Sequence, residues 1–261
     1  MKLAINGVTG RMGLAIARLA HAMPEVQIVG GVCADTDPGN GRDIGELAGI
    51  GQIGVVTTPD AASALLGADV VIDFSVASAV QPLLAIAARQ KVAIVSGTTN
   101  LDDATKAALN RAAQSVPVLW AANMSLGVQV LAELVEQAVR RLGLGFDVEI
   151  AEIHHRKKVD SPSGTAKRLA EAARAARPAL REIHGRSGDV GARTNDEMAV
   201  FGLRGGDVVG DHTVYLFGQG ERIELTHRAS SRDLFAHGAL MAARFVAGKP
   251  AKRYTIADVL G

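Results

Sequence analysis

Over the first half of the chain, short apolar runs alternate with longer stretches in which apolar residues recur at helical spacing. Residues 2–6 form the first run, a loop punctuated by Gly7, Gly10 and Gly13 follows, and residues 14–22 carry the first helical pattern. Residues 26–33 predict a second strand. Three more runs of strand length, 68–74, 91–95 and 116–120, are separated by helical patterns over 79–90 and 102–114. Near-continuous apolar strands alternating with helices predict an α/β fold, a Rossmann-like doubly wound parallel sheet covered on both faces.

The texture changes after residue 125. A long helical pattern over 126–142 is stopped by Gly143 and Gly145, and residues 147–154 then alternate with a period of two. Further strands are predicted over 200–203, 213–217 and 221–226, with turn signals at Gly205, Gly206, Gly218 and Gly220. Consecutive strands with short connections predict a smaller α+β substrate domain built on an open antiparallel or mixed sheet. With few helices to cover it, such a sheet suits packing against copies of itself, hence an oligomer. Residues 233–246 return to an alanine-rich helical pattern and are expected to rejoin the first domain. The expected division is 1–125 with 233–261 for dinucleotide binding, and 126–232 for substrate binding and oligomerisation.

Composition narrows the classes of function. Hydrophobic residues make up 48% and aromatics 3%, so the core has to be built from aliphatic side chains. Lys and Arg number 28 against 27 Asp and Glu, which gives no general hold on nucleic acid or a membrane surface. Any electropositive site must be local. The single cysteine, Cys33, excludes an intramolecular disulfide and a cysteine-based zinc cluster, and suits a reducing compartment. No apolar run nears the roughly 20 residues of a membrane span, so a cytoplasmic protein is expected.

In the glycine loop, Gly7 turns the chain off the strand, Gly10 admits backbone amides to a pyrophosphate, and Gly13 lets the helix pack near the strand. The phosphates would then sit at the positive end of that helix. The spacing alone also fits a tight turn in another α/β protein; its position between the first strand and the first helix favours the dinucleotide. Asp35 is the first carboxylate after the second strand and the candidate for the adenosine ribose, although Asp35 and Asp37 equally suit turn residues before Pro38. No arginine directly follows that strand to meet a 2′-phosphate, and Arg42 and Arg11 are the nearest candidates. The loops at 73–75, 96–99 and 121–125 fall at strand carboxyl ends, where ligands of open α/β sheets bind.

The densest chemistry lies in residues 152–165, which hold two histidines, three consecutive cations and a helix-opening Ser-Gly-Thr. A period of two puts His154 and His155 on opposite faces, so they are not expected to share a metal. With no cysteines nearby and no carboxylate at a characteristic ligand spacing, no metal site is expected. One of the histidines can donate a proton near neutral pH, while the other is structural. Lys158 can bind a carboxylate or polarise a reacting group, and Arg156 and Lys157 read as solvated loop cations. Ser163, Gly164 and Thr165 open a helix over 166–176, either as a plain N-cap or as an anion site. Together these features suggest an acidic substrate reduced by a bound nicotinamide.

These segments, with Asp73-Phe74-Ser75, Gly97-Thr98-Thr99, residues 121–125 and residues 206–212, resemble the 4-hydroxy-tetrahydrodipicolinate (dihydrodipicolinate) reductase family from end to end. The block from His154 to Thr165 is highly specific to that family. The resemblance implies a Rossmann domain and a substrate domain whose sheets assemble a homotetramer. It implies hydride transfer from NADH or NADPH to a cyclic dicarboxylate imine in lysine and diaminopimelate biosynthesis. Matched by position, it implies His154 as general acid with Lys158 as catalytic partner, and His155, Ser163, Gly164 and Thr165 as contacts to substrate carboxylates. It also implies cofactor contacts from Arg11, Met12, Phe74, Gly97, Thr99, Ala122 and Met124. Where members with dual cofactor use can carry Glu-Arg, this chain has Cys33 and Ala34, which leans the expectation to NADH or dual use. Two further readings stay open: another small-molecule dehydrogenase, for instance on an amino acid, and a nicotinamide-binding sensor without turnover.

Overall fold

The computed structural model describes residues 1–261, and the chain divides into two compact units, Met1–Met124 with Asp233–Gly261, and Ser125–Arg232. The first unit begins with β1 (Lys2–Asn6), α1 (Arg11–His21), β2 (Gln27–Val32), α2 (Ile44–Ala48), β3 (Thr57–Thr58) and α3 (Ala61–Ala64). It continues with β4 (Val70–Asp73), α4 (Ala77–Gln90), β5 (Ala93–Ser96), α5 (Asp103–Ala112) and β6 (Val118–Trp120). The second unit holds α6 (Leu126–Leu142), a 3-10 turn at Gly143–Gly145, β7 (Asp147–His154), α7 (Gly164–Ala176), β8 (Arg181–Ile183), β9 (Glu197–Arg204), β10 (Gly210–Gly218) and β11 (Glu221–Ala229). The chain then returns to the first unit with α8 (Asp233–Val246), β12 (Arg253–Tyr254) and α9 (Ile256–Leu260).

Seven parallel strands form the first sheet in the order β12-β6-β5-β4-β1-β2-β3. Every residue of β4 and β5 is buried, which explains their unbroken apolar character. The winding reverses at β1, whose neighbours are β2 and β4, so the switch point lies at the carboxyl ends of β1 and β4.

The second sheet runs β11-β10-β7-β9-β8, antiparallel from β11 to β7 and parallel from β7 to β8. Helices α6 and α7 lie on one face and bury Val135 and Leu169 with Val148, Ile150, Val200 and Val214. Each such aliphatic side chain contributes about 1.5–3 kcal/mol when fully buried. In β7 the period of two buries Val148, Ile150, Glu152 and His154. One strand face therefore passes from apolar core to polar chemistry within four positions. The opposite face exposes Ile153, Phe201, Leu203 and Phe217.

Several boundaries differ from those the pattern predicts. Helix α1 starts at Arg11, inside the glycine loop, with Gly10 as its N-cap. Helix α7 starts at Gly164, because the Ser163 side chain accepts from the Ala166 amide and fixes the cap there. Strand β5 begins at Ala93, since Lys91 at φ 63° ends α4 in the left-handed region. The three residues of β8 lie in a charged stretch too short to show a period. No helix is long and apolar enough to cross a membrane.

Candidate active site

In the first unit the glycine loop lies at the switch point. Gly7, at φ +75°, donates to the Val32 carbonyl at 2.9 Å, and a Cβ there would stand 2.5 Å from the Phe74 carbonyl oxygen. A Cβ at Gly13 would stand 2.2 Å from the Gly7 oxygen. Backbone packing of β1, α1 and the end of β4 therefore requires both glycines. Gly10 caps α1 without a side-chain hydrogen bond, so the first-turn amides of Arg11, Met12 and Gly13 remain for an anion at the positive helix end. A pyrophosphate fits this loop.

Around it, Asp73 is fully buried and accepts from Asn6 Nδ2 at 2.8 Å, Ser96 Oγ at 2.7 Å, Thr98 Oγ1 at 2.8 Å and the Ser75 hydroxyl. Half-buried Phe74 fills the space at Gly97, where a Cβ would meet its ring at 2.4 Å. Thr99 and Ala122 are exposed, and Met124 is buried. Asp35 is exposed, whereas Asp37 reaches the glycine loop by accepting from Thr9 Oγ1 at 2.7 Å. Of the two carboxylates before Pro38, Asp37 is thus the one brought to the loop.

In the second unit, β7 delivers Glu152 and His154 to the helix-covered face. Glu152 is fully buried and is gripped by Arg204, whose Nη2 lies 2.9 Å from Oε1 and whose Nη1 lies 3.0 Å from Oε2. The Ser163 amide donates to Oε1 at 3.2 Å, and His154 Nδ1 donates to Oε2. Burial pushes the Glu152 carboxyl up, but hydrogen bonds from Arg204 and His154 and their charges outweigh it and hold the group below the usual carboxylate value. Burial pushes His154 below the ordinary imidazole value; Glu152 opposes that shift, and Lys158 and Arg204 add to it. The free nitrogen of His154 looks toward Gly210, where a Cβ would come within 2.9 Å of Nε2.

His212 lies edge-on to His154, ring centroids 5.0 Å apart, with Nε2 3.0 Å from Ser163 Oγ. Burial drives it down to about 4, helped by the charge of His154. His155 sits just beyond the strand and accepts from Arg232 at 2.9 Å through Nε2. Lys158 is half-buried and contacts both oxygens of Asp160, at 2.8 and 2.9 Å. Ser163 is buried at the start of α7, with Gly164 exposed and Thr165 half-buried beside it. The ligand atoms of Glu152, His154 and His212 lie within 4.8 Å of one another, yet the guanidinium on both Glu152 oxygens opposes a cation there.

Sequence reasoning names His154 without its partners. Glu152 has a local signal, since residues two apart on a strand share a face. Arg204 has none, and Asp73 and His212, although they fall in segments that carry the family resemblance, give no local sign of what they hold, because cross-strand register and strand order bring their partners in.

The dinucleotide-type sheet with its glycine loop, together with a carboxylate-held histidine, defines a nicotinamide-dependent oxidoreductase. Residues 1–124 match the family model for the dihydrodipicolinate reductase N-terminus and residues 127–260 that for its C-terminus. A 4-hydroxy-tetrahydrodipicolinate reductase of Anaeromyxobacter sp. strain Fw109-5 is 49% identical, covering 100% of this chain and 98% of its own. One from Myxococcus xanthus strain DK1622 is 45% identical, covering 100% of this chain and 98% of its own. The chain belongs to the dihydrodipicolinate reductase family. Among solved structures, the dipicolinate-bound dihydrodipicolinate reductase from Paenisporosarcina sp. TG-14 shares the fold, with a TM-score of 0.80 at 20% identity over 99% of this chain and 98% of that one.

Proposed function

We propose that this protein is a 4-hydroxy-tetrahydrodipicolinate reductase, transferring a hydride from NADH or NADPH to a cyclic dicarboxylate imine and yielding tetrahydrodipicolinate for lysine and diaminopimelate synthesis. Full-length relatives of that name support the reaction, and the Glu152–His154 pair is the observation that supports its chemistry most. A bound reduced nicotinamide supplies the hydride. The chain's own residues hold the substrate and deliver a proton.

Ionised Glu152 keeps a proton on His154 Nδ1, which leaves Nε2 as the atom that gains and releases one. With its basicity lowered, protonated His154 gives that proton up readily to the reduced ring. Glu152 then steadies the imidazole orientation as a buried carboxylate steadies a catalytic histidine elsewhere. Ser163, Gly164 and Thr165 hold one substrate carboxylate at the positive end of α7. Lys158 and His155 hold the other; the partly exposed pair of Lys158 with Asp160 contributes about 0–1 kcal/mol and is readily exchanged for a substrate anion.

Arg11, Met12 and the glycine-loop amides are assigned to the cofactor pyrophosphate, and Phe74, Gly97, Thr99, Ala122 and Met124 to its nicotinamide end. Asp37, with Asp35 beside it, is assigned to the adenosine ribose. A carboxylate on Thr9, with no arginine directly after β2, disfavours a 2′-phosphate and leans the preference to NADH or dual use. Side-by-side titration with both cofactors tests this; tighter binding of NADPH rejects it. We assign the exposed apolar sheet face to a homotetramer, and a monomeric mass in sedimentation equilibrium removes that assignment.

The reaction is tested by following cofactor oxidation with substrate generated freshly by an aldol-type synthase. A variant carrying His154→Gln and Lys158→Ala is expected to lose activity by at least about 100- to 10,000-fold, the usual effect of one such donor. Wild-type rates from that variant would sink the assignment.

A further inference from the structure

One level of the second sheet carries an unusual row of polar side chains. Register pairs Glu152 on β7 with His212 on β10, and His212 with His227 on β11. His212 is only 4% exposed, its Nε2 lies 3.0 Å from Ser163 Oγ, and its Nδ1 is buried without a hydrogen-bond partner. The Ser163 oxygen has a second engagement, because it accepts from the Ala166 amide at 3.1 Å.

Two tautomers of neutral His212 satisfy this geometry, and they give Ser163 opposite roles. With the proton on Nδ1, a buried N–H has no acceptor, and the serine must spend its own proton on Nε2. With the proton on Nε2, the imidazole donates to Ser163 Oγ and only a lone pair on Nδ1 stays unpaired. A buried donor without a partner is the rarer and costlier orphan, so the second tautomer prevails. A hydroxyl has one proton and two lone pairs. Ala166 and His212 then occupy both lone pairs, and the serine proton is left for a further acceptor.

We propose that His212 is a positioning residue that makes the Ser163 hydroxyl a committed donor to a substrate carboxylate. The inference rests on the reading of Ser163, Gly164 and Thr165 as a carboxylate site. A carboxylate only accepts, so a serine turned toward His212 would offer it a lone pair and repel it; a serine held by His212 offers it a charge-assisted hydrogen bond. Ser163 is also tied through its amide to Glu152 at 3.2 Å. Glu152 thus fixes the position of Ser163 beside the acid His154, while His212 sets the direction of its proton.

The test is the dissociation constant of pyridine-2,6-dicarboxylate, measured by calorimetry on the cofactor-loaded protein, with KM and kcat measured in parallel. His212→Leu removes the donor, His212→Gln keeps an N–H, and Ser163→Gly removes the hydroxyl while retaining a tolerated helix cap. His212→Leu and Ser163→Gly are each expected to weaken binding by about 10- to 100-fold, the value of one hydrogen bond to a charged group. KM rises in step and kcat falls by a smaller factor. The double variant binds no more weakly than Ser163→Gly alone, and His212→Gln returns binding to within about 3-fold of wild type. A purely structural role would instead lower the binding stoichiometry and leave the dissociation constant of the folded fraction unmoved.

Weakening by Ser163→Gly with none by His212→Leu overturns the role of His212, as do additive losses in the double variant. Unchanged binding in Ser163→Gly overturns the carboxylate site itself, and the inference with it. Should His212→Leu not fold, His212→Asn carries the same test, since its shorter amide falls short of Ser163.

Discussion

Asp73 and Glu152 are both fully buried carboxylates near the ends of central strands, one in each unit, and they are held in opposite ways. Asp73 is surrounded by an amide and hydroxyls from Asn6, Ser75, Ser96 and Thr98. These donors satisfy the carboxylate without exchanging a proton with it, so Asp73 clamps the ends of β1, β4 and β5 together. Glu152 is held by a guanidinium, a backbone amide and an imidazole. Its last partner is an imidazole, a group that can gain and lose a proton, so under the proposed mechanism the clamp also serves as half of an acid–base pair. What surrounds a buried carboxylate, more than its burial, decides whether it serves structure or chemistry.

Removing charge at the two sites should separate them. Glu152→Gln leaves Arg204 without its counter-ion and His154 without its anchor. Turnover is expected to fall by about 100-fold or more, with roughly 3–5 kcal/mol of stability lost, the cost of breaking a buried pair. Asp73→Asn keeps the shape and is expected to cost about 1–3 kcal/mol in urea unfolding, with KM for the dicarboxylate unchanged. Equal losses of turnover per folded molecule in the two variants would break the comparison.

A pH series sharpens it further. His212 titrates at about 4 in the folded chain against 6.5 for an ordinary histidine. Above pH 6.5 both states are neutral and nothing is lost. Below it the unfolded chain takes up a proton that the folded chain refuses, so stability declines as pH falls from 6.5 toward 4, by roughly 3 kcal/mol in all. Urea midpoints at pH 7 and 5 are expected to differ in wild type and to differ less in His212→Gln. The smallest effect belongs to the loop cations: Arg156→Ala and Lys157→Ala, both exposed, are expected to shift stability by no more than about 0.5 kcal/mol and to leave turnover within a few-fold.

Much of the fold was legible along the chain. The helices Leu126–Leu142 and Asp233–Val246 and the strand Asp147–His154 have the ends their patterns predict. Long periodic segments average over local exceptions, whereas the two-residue β3 and β12 and the three-residue β8 contain too few positions to show any period. The start of α1 at Arg11 was hidden by glycines that read as loop, since a glycine inside a helix gives no sign of the packing that demands it. In the candidate site, the cluster from Glu152 to Thr165 stands out because its members are contiguous. Asp37 was not separable from Asp35 until Thr9 met it across the sheet edge.

The sequence by itself determined the alternation of strands and helices, the glycine loop at the first turn, and the placing of Glu152 and His154 on one face of β7. Each follows from a fixed backbone repeat or from steric demands within a few residues. Only the tertiary structure decided that Arg204 and Ser163 converge on Glu152, that His212 takes hold of Ser163, and that Asn6, Ser96 and Thr98 close around Asp73. Those partners stand 11 to 67 residues apart in the chain, and strand pairing and register, which no local pattern specifies, bring them within hydrogen-bonding distance.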